Sequence, residues 1–155
     1  MEQSDIPDSK KTIQDIDTKN IFIHAIKPEF LPVGTKFIPV SSLENLHNNY
    51  YNEIIIADLL DHMSYNELVA VLDIMIDKLA QYGTLSLQST DLYQLASAIT
   101  FGDIDQETAK IVVYNNKRTI YTLKEIEVEL SNRNLDIKEK KYINIFEYFI
   151  KASKP

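Results

Sequence analysis

The sequence predicts an α/β fold, in which a mostly parallel sheet has helices on both faces and ends in a C-terminal antiparallel strand. Short apolar runs recur along the chain, and helices with clear start signals separate them. Near the C-terminus, two strand-like segments follow each other too closely for a helical crossover, so they are expected to pair antiparallel. The 155 residues fit one domain over residues 20–155, preceded by a flexible polar tail over 1–19.

Four apolar runs are candidate parallel strands. The first two, residues 20–25 and 35–40, flank a loop that contains two prolines. Pro39 is expected at a strand end or at the edge of the sheet, because proline has no backbone N–H to donate. The third run, 53–57, is continuously apolar in its last four residues, which suits a central parallel strand covered on both faces. The fourth run, 84–88, alternates with the period of a strand.

Two capping boxes mark helix starts in the sequence. Ser64 with Glu67, and Thr122 with Glu125, each place a hydroxyl three residues before a carboxylate, so that the two side chains can satisfy two backbone N–H groups. Apolar residues at helical spacing follow Ser64, and Gly83 is expected just beyond the end of that helix. The remaining predicted elements are helices over 91–100 and 105–113 and strands over 135–138 and 143–152.

The composition excludes several functional classes. The net charge is -7, which argues against a nucleic-acid partner, because such a partner requires clustered Lys and Arg. There is no Cys, so disulfides, thiolate metal sites and Cys nucleophiles are excluded, and the three His are too scattered for a zinc site. No run reaches the roughly 18 apolar residues of a membrane span. The first residues lack a signal-peptide pattern, so a cytoplasmic location is expected.

Four short motifs follow one another in a recognisable order. They are Asn-Glu-Ile-Ile-Ile at 52–56, Leu-Asp-His-Met at 60–63, a Gly-terminated segment at 79–83 and Ser-Thr-Asp at 89–91. In these motifs, and from residue 20 to 155 as a whole, the chain resembles small class I S-adenosylmethionine (SAM)-dependent methyltransferases. That family has an Asp-Glu-Ile strand, a Leu-Glu-His turn, a Pro-Gly-Gly turn and a Pro-Asp step in the same order. The resemblance implies a Rossmann-like fold with SAM as the cofactor.

The resemblance places the cofactor-binding residues at His24, Ala25, Ile26, Ser41 and Asp58. In the family, a Gly-rich turn after the first strand lets the backbone approach the cofactor closely. In this chain, His24 and Ile26 stand at the two glycine positions. Ser41 stands where an acidic residue would bind the ribose hydroxyls, and a serine cannot hold both hydroxyls as a carboxylate does. These departures indicate a degenerate SAM-binding site.

Asp58 and His62 are the candidate catalytic residues. Asp58 follows the third strand, at the carboxyl edge of the sheet, where ligands bind in open α/β folds. A carboxylate there can act as a base or orient a nucleophile. Asp61 precedes His62 in the next turn, and an Asp beside a His can tune its proton affinity. The alternative is that Asp58 is a solvated residue or helix cap and that His62 makes a structural hydrogen bond.

Two functional hypotheses remain open at this point. One is a SAM-dependent methyltransferase with an unusual cofactor loop, acting on a small-molecule or protein acceptor that the sequence does not identify. The reaction needs little from the protein beyond holding the acceptor and the sulfonium in line, because SAM carries the reactive group. The other is a non-catalytic methyltransferase-fold module, a pseudoenzyme that acts as a structural or protein-interaction subunit. Its partner would be a second copy of itself or an active homologue.

Overall fold

A computed structural model describes residues 19–25, 28–115 and 117–155. The predicted polar tail, apart from Lys19, lies outside the described residues. Six strands form one mixed sheet in the order β2-β1-β3-β4-β6-β5. Strands β1 to β4 run parallel, and β6 runs antiparallel to both β4 and β5. The predicted α/β class, with a mostly parallel sheet and a C-terminal antiparallel strand, is therefore confirmed. The strands are β1 (Asn20–His24), β2 (Lys36–Pro39), β3 (Tyr51–Ala57), β4 (Leu79–Thr90), β5 (Asp136–Tyr142) and β6 (Glu147–Ser153).

Local capping fixes where the helices begin. In both capping boxes the carboxylate accepts the cap N–H at 2.7 Å, and the cap hydroxyl accepts the N–H of the glutamate. None of the helices in the described parts of the chain has the length and apolar character needed to cross a membrane. The helices are α1 (Tyr65–Lys78), α2 (Leu92–Phe101), α3 (Gln106–Tyr114) and α4 (Leu123–Asn132), with short 3₁₀ turns at Val40–Asn45 and Leu60–His62.

The hydrophobic core lies between one face of the sheet, called here the first face, and helices α1 and α4. Strand register aligns the first-face side chains in rows across the sheet, because alternate residues of a strand point to the same side. Burying these aliphatic side chains against the apolar faces of the two helices is the main source of stability. The core residues include Ile21, Ile54, Ile56, Leu85, Leu87 and Ile150 from the strands, and Leu68, Leu72, Met75, Ile126 and Leu130 from the helices.

The helices are distributed unevenly around the sheet. The second face, opposite α1 and α4, carries partly buried side chains such as Ile55 and Phe149, and an ion pair in which Lys151 Nζ lies 3.0 Å from Glu53 Oε1. The chain enters α2 directly after β4, at the carboxyl edge of the parallel strands. Few residues of α2 and α3 are buried. These two helices therefore contribute little to the core and lie beside the edge where a ligand site is expected.

Gly83 does not end a helix, which corrects the expectation from the sequence. Helix α1 stops at Lys78, and Gly83 lies inside β4, where that strand bulges against β3. The preceding residue, Tyr82, has a left-handed φ of 64°. A Cβ on Gly83 would lie 2.8 Å from the carbonyl oxygen of Tyr51 and 2.9 Å from that of Ala80. Close backbone approach, and not helix termination, is the reason for this glycine.

The last strand is shorter than the predicted 143–152, because β6 begins only at Glu147. The side chain of Asn144 accepts the N–H groups of Phe146 at 3.0 Å and of Glu147 at 2.9 Å, which closes a turn. Strand β5 is correspondingly longer than predicted and continues to Tyr142. Most residues of β5 are charged and exposed, so the strand lacks the apolar run that predicts the other strands. Charged residues are nevertheless typical of an edge strand.

Replacing Gly83 with alanine is expected to destabilise the protein by roughly 1–3 kcal/mol, because the added methyl group overpacks against fixed carbonyl oxygens. Urea unfolding followed by circular dichroism measures the effect. The exposed neighbour Gln81 provides the control, since Gln81→Ala should change the unfolding free energy by less than about 0.5 kcal/mol. Equal stability of the Gly83→Ala and Gln81→Ala variants would contradict the close approach at the bulge.

A second pair of substitutions compares the packing of the core between the first face and the helices with the packing on the second face of the sheet. Leu72→Ala should cost about 2–5 kcal/mol, since Leu72 is fully buried in the core. Ile55→Ala removes a similar side chain from the second face, where Ile55 is only partly buried. It should lower the free energy of unfolding by less than half the loss caused by Leu72→Ala. Comparable losses in the two variants, measured by the same urea titrations, would mean that the second face is covered.

Candidate functional site

A cleft of about 330 Å³ opens at the carboxyl edge of β3 and β4. Its lining combines polar side chains from the ends of the strands and the segment after α3 with apolar residues of α3 and of the β5–β6 connection. The sequence-predicted catalytic residues Asp58 and His62 both line this cleft, so the structure brings them together. The lining residues are Asp58, His62, Thr90, Ile111, Val112, Asn115, Lys117, Phe146 and Glu147.

Asp58 has an unusual backbone at the end of β3. Its φ of 53° lies in the left-handed region, which is uncommon for residues other than glycine, asparagine and aspartate. Its N–H donates to the carbonyl of Gln88 at 3.0 Å, which holds the turn against β4. Non-glycine residues in this conformation cluster at functional sites, because the surrounding structure must stabilise them. The backbone conformation therefore indicates a functional role for Asp58 independently of the sequence motif.

The electrostatic surroundings of Asp58 raise its pKa. Solvent reaches the side chain, yet the protein around it removes enough water to disfavour the charged form, and this desolvation is the largest cause of the increase. The charge of Asp61 also raises the pKa, while Lys117, His24 and His62 oppose the increase. A carboxyl group with a raised pKa is a better proton acceptor and donor near neutral pH than an ordinary aspartate.

A buried ion pair supports the floor of the cleft. The side chain of Asp61 is almost completely buried, and its Oδ2 lies 2.5 Å from Lys117 Nζ. Lys117 also donates to Thr90 Oγ1 at 3.1 Å. The backbone carbonyl of Asp61 accepts the N–H groups of Arg118 at 2.7 Å and of Thr119 at 3.2 Å. These bonds attach the segment after α3 to the turn after β3 and so shape one wall of the cleft.

The residues predicted to bind the cofactor do not form one group with the cleft. His24 is half-buried at the end of β1, close enough to Asp58 to influence its pKa. Ala25 is exposed in the bend that follows β1. Ser41 is exposed in the 3₁₀ turn that follows β2, and neither residue lines the cleft. Ile26 lies outside the described residues. Of the predicted set, the structure thus brings His24 and Asp58 together and leaves Ala25 and Ser41 apart from the cleft.

The connection from β1 to β2 is short for a parallel crossover, which usually contains a helix. It runs from residue 25 to residue 35, and its described part, 28–35, contains no helix. A turn at its end has the N–H of Thr35 donating to the carbonyl of Pro32 at 3.1 Å, with Gly34 at a φ of 78°. The backbone after β1 therefore offers no helix N-terminus within these described residues.

Lys117, Thr90 and Glu147 are site residues that sequence reasoning missed. Lys117 lies in an irregular segment with no motif, and its ion pair with Asp61, a residue far earlier in the chain, holds it at the cleft. Thr90 and Glu147 are paired across β4 and β6 in the strand register. A correct register for the final hairpin would have indicated both of these residues, because it puts them beside the end of β4.

No protein-family model matches the chain, and no curated protein matches its sequence. Solved methyltransferase structures nevertheless resemble it. A SAM-dependent methyltransferase from Archaeoglobus fulgidus superposes with a TM-score of 0.59 at 13% identity, over 86% of this chain and 75% of that one. One from Mesorhizobium loti gives 0.61 at 9%, over 88% and 81%. The 1,6-didemethyltoxoflavin-N1-methyltransferase of Burkholderia thailandensis, with 1,6-didemethyltoxoflavin and S-adenosylhomocysteine bound, gives 0.58 at 11%, over 86% and 60%.

Identities this low establish the fold alone. The similarity confirms the Rossmann-like, class I methyltransferase-like fold that the sequence motifs imply. Its coverage is uneven, since the chain spans only 60% of the Burkholderia thailandensis enzyme.

The raised pKa of Asp58 predicts a specific pH dependence of stability. Ionised Asp58 is less favourable in the folded chain than in the unfolded chain. The stability that protonated Asp58 contributes is therefore lost as pH rises through the folded-state pKa. Asp58→Asn removes the charge and keeps a residue that tolerates left-handed φ. The variant should therefore withstand more urea than the wild type at pH 7, and this difference should disappear as pH falls below about 4.

Asp58→Ala is the matched control for the backbone conformation. Alanine also removes the charge, but it tolerates left-handed φ poorly and should cost about 1–2 kcal/mol relative to Asp58→Asn at every pH. A wild type that is more stable than Asp58→Asn at pH 7 would contradict the assignment of the pKa increase.

Proposed function

We propose that this chain is a non-catalytic methyltransferase-fold module that acts as a structural or protein-interaction subunit. The observation that carries the proposal is the connection between β1 and β2. Where the family resemblance expects a Gly-rich turn, the chain has bulky or Cβ-bearing residues. A backbone with side chains at those positions cannot approach a cofactor as closely as glycines allow. Ser41, exposed after β2, replaces the expected carboxylate for the ribose hydroxyls.

Exposed apolar side chains on α2 and α3 support a role in protein contacts. Helix α2 has no charged residue, and both helices present large apolar groups to solvent at the carboxyl edge. Large apolar side chains left exposed on two consecutive helices are typical of an interaction site. A second copy of the chain or an active homologue is the proposed partner, and a cytoplasmic location stays a prediction from composition. The exposed residues are Leu92, Tyr93, Ile99, Phe101, Ile111, Val113 and Tyr114.

The second candidate is an active SAM-dependent methyltransferase, and the geometry of Asp58 is the observation that favours it. A left-handed carboxyl residue with a raised pKa stands at the carboxyl edge of the sheet. That edge is where open α/β sheets bind their ligands. In this case Asp58 would hold or deprotonate the methyl acceptor, with His62 beside it. Methyl transfer from SAM demands chiefly that the acceptor and the sulfonium be held in line.

Calorimetric titration of the full chain with SAM and with S-adenosylhomocysteine distinguishes the two candidates. For the module, no heat of binding is expected at millimolar concentration of either compound. Micromolar binding by the wild type would refute the module and favour the enzyme. If that binding were lost in Asp58→Asn, a variant expected to fold at least as stably at pH 7, the ligand would lie at the end of β3.

Restoring the expected side chains provides a complementary measurement. A triple variant, His24→Gly with Ile26→Gly and Ser41→Asp, opens space after β1 and returns a carboxylate to the end of β2. It is expected to gain some affinity for SAM, while the double glycine variant alone gains none, because the ribose contact is still missing. Each glycine costs roughly 0.5–1 kcal/mol of backbone entropy, so urea melts must first show that both variants are folded.

A further inference from the structure

Three buried polar side-chain atoms have no hydrogen-bond partner among the described residues. They are Asp61 Oδ1, Ser89 Oγ and the hydroxyl of Tyr148. All three residues are inaccessible to solvent from outside. Buried polar groups in folded proteins nearly always have a partner, and three without one in a single small domain require an explanation.

The three residues belong to segments that meet near the carboxyl end of β4. Ser89 and Tyr148 face each other across β4 and β6 in the strand register, so their side chains lie on the same face of the sheet. Lys117 bridges from Asp61 to Thr90, which places the Asp61 carboxylate beside the same end of β4. After desolvation, the charge of Asp61 is the largest cause that raises the pKa of Tyr148. The charge of Asp61 therefore acts on the phenol of Tyr148.

The three atoms are also chemically complementary to one small ligand. A carboxylate oxygen only accepts hydrogen bonds, whereas the two hydroxyl groups can each donate one. A water molecule can accept from both hydroxyls and donate to the carboxylate at the same time. Internal waters typically make about three such bonds to polar groups that the protein leaves unsatisfied. An apolar occupant would leave all three groups unsatisfied.

We propose that Asp61, Ser89 and Tyr148 form an internal hydration site that binds at least one ordered water molecule beneath the cleft. The site goes beyond the proposed function and does not depend on it, because the three residues are buried whether or not the cleft binds SAM. The water solvates the oxygen of Asp61 that Lys117 does not reach. The water thereby satisfies the second oxygen of the carboxylate whose first oxygen holds the ammonium of Lys117 at the wall of the cleft.

A crystal structure of the full chain at high resolution is the direct experiment. It should show a water oxygen at hydrogen-bond distance, about 2.7–3.2 Å, from at least two of the three atoms. A direct hydrogen bond from Tyr148 to Asp61, with no water at these atoms, would overturn the proposal.

Tyr148→Phe gives an independent measurement in solution. Removing the hydroxyl from a hydrated site should lower the thermal midpoint by several degrees and should weaken the water–protein nuclear Overhauser effects assigned to this region. If the hydroxyl were dry and without a partner, Tyr148→Phe would instead raise the thermal midpoint, because removing the hydroxyl would stabilise the fold. An unchanged or raised midpoint, or a lowered midpoint without any water signal in the wild type, would each refute the site.

Two further variants protect the experiment against a folding failure. Ser89→Ala removes a single hydroxyl, leaves the aromatic core intact and should likewise weaken the water signal. Tyr65→Phe is the matched control, since the Tyr65 hydroxyl donates to Glu129 at 2.8 Å on the surface and not to the buried region. The control should leave the internal water signal unchanged. Loss of that signal in Tyr65→Phe would show that it does not report on the buried site.

Discussion

Asp61 holds together three segments that are distant in the sequence. Its carboxylate pairs with Lys117, and its backbone carbonyl accepts the N–H groups of Arg118 and Thr119. Lys117 in turn donates to Thr90 at the end of β4. Losing one member of a buried ion pair typically costs about 3–5 kcal/mol, because the other charge is left without a partner. Asp61 thus anchors the return of the chain from α3 to α4, which forms a wall of the cleft. Among the described residues, few side chains of α2 and α3 are buried, which leaves the exposed sides of these helices available for other contacts.

The sequence predicts the elements whose signals are local. Both capping boxes are present, and the apolar run at 53–57 is a central strand, because hydroxyl–carboxylate spacing and continuous β-branched residues act within a few residues. The errors involve contacts with another strand. Gly83 resembles a helix stop, yet a carbonyl of β3 determines its identity. The start of β6 is masked by apolar residues around Asn144, whose side chain closes a turn. Pairing partners cannot be read from the strand alone.

The candidate site likewise contains some residues that the sequence predicts and others that it does not. Asp58 and His62 are found from the sequence, because the carboxyl ends of parallel strands meet at one edge of the sheet and both residues follow a recognisable strand. Lys117 is not found, since nothing in its own segment indicates that it pairs with Asp61. The residues expected to hold a cofactor, on the β1 and β2 side, do not join the cleft on the β3 and β4 side, apart from the electrostatic contact of His24 with Asp58. The cleft and the segments expected to hold a cofactor therefore occupy different parts of the carboxyl edge of the sheet.

Both edges of the sheet have consequences for how the protein can assemble. Strand β2 ends in Pro39, which has no N–H to offer a further strand. Strand β5 carries a dense run of charged residues, whose desolvation opposes strand addition at the other edge; they are Asp136, Lys138, Glu139, Lys140 and Lys141. Copies of the chain are therefore poorly suited to joining into one continuous sheet, the step that leads to fibrils. Contacts through helices and side chains are therefore better suited to assembly of this protein than extension of the sheet at either edge.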